Sequence, residues 1–140
     1  MSETKLENFT KAVARLNESV EDYKHYKGKE KLEDMSRDSL IKRFKLAFEL
    51  SWKTLADFLE SNSVKLEGAG PKGIISTAYR NRYLKDEEKW LNLLKTRNLL
   101  THVYKEEMAK ELAGLIVSNY AENLNEMLTV VAKRDESVAQ

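Results

Sequence analysis

The stretch Ile41-Lys42-Arg43-Phe44-Lys45-Leu46-Ala47-Phe48-Glu49-Leu50-Ser51-Trp52-Lys53-Thr54-Leu55-Ala56-Asp57-Phe58-Leu59 decides the fold. Within it Ile41, Phe44, Phe48, Trp52, Leu55 and Leu59 recur at spacings of three and four, the repeat of one face of an α-helix. The helix is predicted to open at Asp38 or Ser39, whose short polar side chains suit the position that caps free backbone N–H groups.

The same periodicity extends in both directions. Leu6, Phe9, Val13, Leu16, Val20 and Tyr23 form the stripe of a first helix that Gly28 ends, and the lysine-rich run from Lys24 to Lys31 reads as a solvated turn. Downstream, Ser61-Asn62-Ser63 and Gly68-Ala69-Gly70-Pro71 mark a long loop. Pro71 at a first helical position would start a short third helix carrying Ile74, Ile75 and Ala78. A fourth is predicted from Asp86, with Trp90, Leu91 and Leu94 on its stripe. A fifth is predicted from about Glu106, with Leu112, Leu115, Ile116, Tyr120, Leu124, Met127 and Val131. Short links between antiparallel helices make this an all-α, five-helix up-and-down bundle, four long helices plus one short crossover helix.

Composition agrees. The chain has 140 residues, 41% hydrophobic and 34% charged, with five Gly and one Pro, a size and balance that favour one helical domain spanning 1–140. Lysine and arginine number 24 against 23 acidic residues, so no global electrostatic funnel for a nucleic-acid duplex exists and any RNA contact must be local. The absence of cysteine excludes disulfides, thiolate metal sites and thiol nucleophiles. With no apolar leader and no run of about 18 apolar residues, a soluble cytoplasmic protein without a membrane anchor is expected.

Two familiar chemistries fail on inspection. Gly68 and Gly73 have the spacing of a phosphate-binding loop, but Ile74-Ile75 stand where Lys and Ser or Thr must hold phosphate and magnesium. The two histidines, His25 and His102, are far apart and neither belongs to a paired-ligand motif, so no metal and no cofactor is expected.

The segment richest in chemistry is Arg97-Asn98-Leu99-Leu100-Thr101-His102-Val103-Tyr104. At about 100° per residue, Arg97 and Asn98 fall on the side of Trp90, Leu91 and Leu94, so an apolar stripe turns polar there. A guanidinium and an amide at such a place must meet a partner or find internal hydrogen bonds, because burying them unpaired is costly. One internal solution is an ion pair between Arg97 and a carboxylate such as Glu49. Arg97 and His102 diverge by about 140° on one helix. Bringing them together requires fraying near Thr101 or a second copy of the segment across a twofold axis, which makes a homodimer the economical expectation.

Arg97, four intervening residues and His102 resemble the signature of the HEPN superfamily, and Tyr104 extends it to Arg-x4-His-x-Tyr. Three stretches are similar to the nucleotidyltransferase substrate-binding protein family in order and spacing. They are Arg43-Phe44 with Phe48-Glu49-Leu50-Ser51-Trp52-Lys53-Thr54-Leu55, then Gly70-Pro71-Lys72, then Trp90 with Arg97-Asn98 and Thr101-His102-Val103-Tyr104. The similarity runs from the second helix to the start of the fifth. It departs at the crossover helix, where Pro71-Lys72-Gly73 replaces the family's Pro-Arg-Glu.

The resemblance implies a HEPN-like bundle, a homodimer, and a separate nucleotidyltransferase chain encoded beside it as the other half of a toxin–antitoxin-like pair. In that role the chain is a binding subunit and Tyr104 is the modification site, its phenol accepting an adenylyl group with Arg97 and His102 beside it. Asn98, Thr101 and Glu49 are then the binding residues. The alternative is a metal-independent ribonuclease toxin acting on RNA. His102 would take the ribose 2′-hydroxyl proton, Arg97 would stabilise the phosphate, and Asn98 would orient one of them. A third reading is a helical adaptor without catalysis.

Overall fold

The computed structural model describes residues 4–102 and 105–139, and every regular element among them is helical. Helix α1 (Lys5–His25) starts where the Thr4 hydroxyl accepts from Glu7 N at 3.0 Å. It closes on a bond from Tyr26 N–H to Asp22 O, after which Gly28 turns the chain at φ +85°, a conformation that costs glycine little. Helix α2 (Glu30–Ser61) is the spine, packing against α1 along its length and touching every other helix.

The opening of α2 corrects the expectation at Asp38 or Ser39: the helix begins eight residues earlier, at Glu30. The reason is Arg37. Its guanidinium meets Asp34 at 3.0 Å and lies 5.9 Å from the centre of the Tyr23 ring on α1, and the residue as a whole is 3% exposed. A charged stretch thereby becomes a packed helical turn, the aliphatic stem covering apolar surface. Burial pushes the guanidinium down, but Tyr23 and Asp34 outweigh burial and hold it above its ordinary value. The buried face of α2 also differs from the predicted stripe. Leu40, Phe44, Phe48, Ser51, Leu55 and Leu59 are buried, whereas Ile41 and Trp52 are half-buried at its edges.

Pro71 opens α3 (Pro71–Arg80) as predicted, and Ile74, Ile75 and Ala78 are buried. The loop before it closes back on the helix. Glu67 N donates to the Thr77 hydroxyl at 3.0 Å, and the backbones of Gly68 and Gly73 touch. A Cβ on Gly73 would lie 3.0 Å from Gly68 Cα and 3.2 Å from Gly68 N. Backbone packing, not phosphate binding, accounts for this glycine pair. Gly73→Ala is expected to destabilise the fold by about 1 kcal/mol, the overpacking cost exceeding alanine's better helix propensity. Gly114→Ala, where a Cβ meets nothing within 4 Å, should stabilise by roughly 0.5–1 kcal/mol. Urea midpoints of the two variants moving in the same direction would contradict this packing account.

Helix α4 (Glu87–His102) is preceded by Asp86, whose carboxylate accepts from Lys89 N at 3.2 Å. The fifth helix starts at Glu106 as predicted but is not uniform. It runs as α5 (Glu106–Leu115), a π-helical turn (Ile116–Tyr120) and α6 (Ala121–Ala139), with right-handed helical backbone at both junctions. Leu112, Ile116, Tyr120 and Leu124 are buried at successive spacings of four, which would drift about 120° around a regular α-helix. One wider turn absorbs that drift and keeps all four on the core side.

Buried side chains from all the helices join in one cluster, with Phe44 stacked on Tyr120 at a centroid distance of 5.8 Å. A reciprocal amide pair, Asn17 with Asn125, ties α1 to α6 at 2.9–3.1 Å. No helix of the described residues is long and apolar enough to cross a membrane.

Candidate functional site

Helix α4 presents different faces to its two sides, and its chemistry divides accordingly. The core side is Trp90, Leu93, Thr96 and Leu100, not Trp90 with Leu91 and Leu94 as the stripe suggested. Thr96 is buried because its hydroxyl meets the Tyr120 hydroxyl at 3.0 Å, a partner on the π turn invisible to periodicity. Arg97 lies at the edge of this buried seam. Asn98, about 100° further round, faces away with Leu91 and Leu94.

Arg97 is held from α2. Its Nη2 stands 3.4 Å from Glu49 Oε2, and its Cζ lies 5.7 Å from the centre of the buried Phe48 ring. Glu49 is a hub: Oε2 also accepts from Trp52 Nε1 at 3.2 Å, and Oε1 is 3.5 Å from Lys53 Nζ. The sequence placed Trp52 on the apolar stripe and named neither Trp52 nor Lys53 as a site residue, although their spacings of three and four from Glu49 put all three on one helix face. Arg97 Nε is buried without a hydrogen-bond partner, while 26% of the side chain stays open. The guanidinium is therefore anchored on one flank and retains free donor capacity.

His102 belongs to another surface. With Asn98, Leu91, Leu94, Leu99 and Met108 it lines a largely apolar groove of about 670 Å³, with Lys72 and Lys95 at its border. Leu99 and Met108 remain well exposed there, a feature typical of surfaces that meet a partner. Thr101 spends its hydroxyl on Arg97 O at 3.0 Å, and α4 remains helical through His102. Fraying at Thr101 therefore does not bring Arg97 and His102 together. Within one chain the structure joins Arg97 with Glu49, joins His102 with Asn98, and leaves the two groups on separate faces. Tyr104 lies outside the described residues. Among the described residues no three acidic or histidine side chains are grouped to hold a metal ion.

A helical bundle of this order, with Arg-x4-His on the fourth helix, is a HEPN-like fold. The chain belongs to the family described as nucleotidyltransferase substrate binding protein like, whose model matches residues 4–133. A crystal structure of a Thermus thermophilus protein is 30% identical, with a TM-score of 0.66 over 90% of this chain and 97% of that one. A tri-AMPylated HEPN toxin of Shewanella oneidensis, solved in complex with MNT antitoxin, superposes with a TM-score of 0.72 at 13% identity, covering 92% of this chain and 94% of that one. A mutant of the toxin–antitoxin pair MntA–HpeT gives 0.68 at 12% identity, covering 89% and 97%. At these two lower identities the likeness is one of fold. No curated protein sequence is significantly similar to the chain.

Proposed function

We propose that this chain is the HEPN-type partner subunit of a minimal nucleotidyltransferase, one half of a two-gene toxin–antitoxin-like pair. The observation that carries the reading is the family match over residues 4–133. It is supported by the fold shared with a HEPN toxin solved with MNT antitoxin. The chain acts as a homodimer that docks the separate nucleotidyltransferase chain and presents the group to be modified.

Tyr104 is that group. Its phenolic oxygen attacks the α-phosphorus of a nucleoside triphosphate held by the nucleotidyltransferase and its metal ions. The new O–P bond forms as the bond from the α-phosphorus to the bridging oxygen breaks, and pyrophosphate leaves. The phenolic proton passes to a nearby base.

Co-expression with the neighbouring nucleotidyltransferase tests this. The two chains are expected to co-purify, and intact-mass spectra to show adenylyl additions that vanish in Tyr104→Phe. Mass gained at another residue would remove Tyr104 while keeping the partner role; chains that neither co-purify nor gain mass would remove both.

The second reading is the metal-independent ribonuclease with a composite site at the dimer interface. The observation in its favour is Arg97: a guanidinium fixed by Glu49 and Phe48, with a buried Nε still unpaired, is suited to a phosphate oxygen. RNA or a nucleotide is then the ligand. His102 from the second protomer supplies the base that takes the ribose 2′-hydroxyl proton.

A further inference from the structure

A polar cavity of about 520 Å³ opens between the first turns of α4 and the segment that leads from the π turn into α6. None of the groups discussed above for adenylyl transfer or RNA cleavage lines it. Its rim is acidic: Asp86, Glu88, Glu122 and Glu126 face a single lysine, Lys89. Asp86 is partly spent on capping α4, and Glu126 Oε2 accepts from Lys89 Nζ at 3.0 Å. The cavity thus already holds one ammonium group of its own, which shows the kind of charge it accommodates.

The floor gives the independent signal. Asn123 is 5% exposed, lines the cavity, and its side-chain amide bonds to no described residue. An amide has two donors and an oxygen that accepts twice, and here that whole capacity is left to whatever occupies the cavity. Its neighbours Leu124 and Met127 are packed in the core, so an apolar residue at 123 would suit packing better. The amide makes physical sense when something in the cavity bonds to it. Asn92 and Asn119 add two more amides to the wall.

The chemistry of the occupant follows from these groups. An anion is repelled by the carboxylates. A single metal ion does not fit, because no three acidic or histidine side chains among the described residues are close enough to ligate one. Carboxylates spread along a rim suit a cation whose charges are also spread, with amides to receive its remaining N–H groups.

We propose that this cavity binds a small aliphatic polyamine, a linear di- or triamine. Its ammonium groups pair with Glu88, Glu122 and Glu126, and the Asn123 carbonyl oxygen accepts from one of them. The site is distinct from the Arg97 and His102 surfaces and does not depend on the nucleotidyltransferase reading.

Calorimetric titration of the purified full chain with spermidine and with putrescine tests it. Saturable binding of one molecule per chain is expected, weakening at high salt. Glu88→Gln combined with Glu122→Gln should weaken it about three- to tenfold. Lys89→Met, which releases Glu126, should tighten it by roughly threefold. Asn123→Leu should remove binding while circular dichroism shows the helices intact. The exposed Glu111→Gln, outside the cavity, should change nothing. Absence of saturable heat with either amine would overturn the proposal. So would equal weakening by Glu111→Gln and Glu122→Gln, the mark of unspecific surface attraction.

Discussion

Phe48→Ala is expected to lower the unfolding free energy by about 3–5 kcal/mol, the range for emptying a fully buried aromatic site. Phe48 is wholly buried on α2, its ring 6.4 Å from Phe44, and Phe44 stacks in turn on Tyr120. Truncation opens a cavity beside Phe44 on α2 and Arg97 on α4. It also removes the ring beneath Arg97, whose Cζ lies 5.7 Å from its centre. The effects are distinguishable by comparison. Phe48→Leu keeps most of the volume and should cost less than about 1.5 kcal/mol. Thermal melts at fixed protein concentration should show a fall on the order of 10 °C for the alanine variant. A loss below about 1 kcal/mol in urea titrations would mean that this aromatic column does not organise the core.

Arg97→Ala and His102→Ala are each expected to abolish RNA cleavage as homodimers, yet to restore it when mixed. The expectation follows from geometry. Helix α4 stays regular through His102, so Arg97 and His102 diverge by about 140°. Arg97 is held towards α2 by Glu49, and His102 lines the groove with Asn98. A site that uses both groups must take them from two subunits. In a mixed dimer, one interface site then has two damaged residues and the other has two intact ones, so about half the wild-type rate returns. Each single variant alone should fall by a factor on the order of 10²–10⁴, the usual contribution of a positioned acid–base group. Cleavage is read on RNA with chelator present. Mixed dimers as inactive as their parents would place both residues in one chain's site, and an inactive wild-type dimer would retire the nuclease reading while leaving the partner reading standing.

Much of the bundle was legible in the amino-acid pattern because helix-forming information is local. Pro71 marks the start of α3 by its fixed φ and missing donor, Asp86 caps α4, and Glu106 opens α5. The pairing of Arg97 with Glu49 was one of the internal solutions open to a guanidinium at the end of an apolar stripe. What misled was charge read as exposure. Arg37 lies just beyond the run read as a solvated turn, yet it is buried with its guanidinium over the Tyr23 ring, and α2 begins a full two turns before the expected cap. On α4, Leu93 and Thr96 are core while Leu91 and Leu94 line a groove. The two sets are offset by two positions, about 160° around the helix, and no stripe on an isolated helix says which side a neighbour will cover.

By itself the sequence determined the all-α class, the order of the helices, the family signature and the stretch that carries the reactive groups, since each depends on residues within a turn or two of one another. Only the tertiary structure decided that Arg97 turns to Glu49 while His102 lines a groove with Met108, that Glu49 also engages Trp52 and Lys53, and that a π turn sets Tyr120 against Thr96. Those outcomes depend on which helix covers which face, and burial and hydrogen-bond completion between segments distant in the chain settle that, beyond the reach of local periodicity.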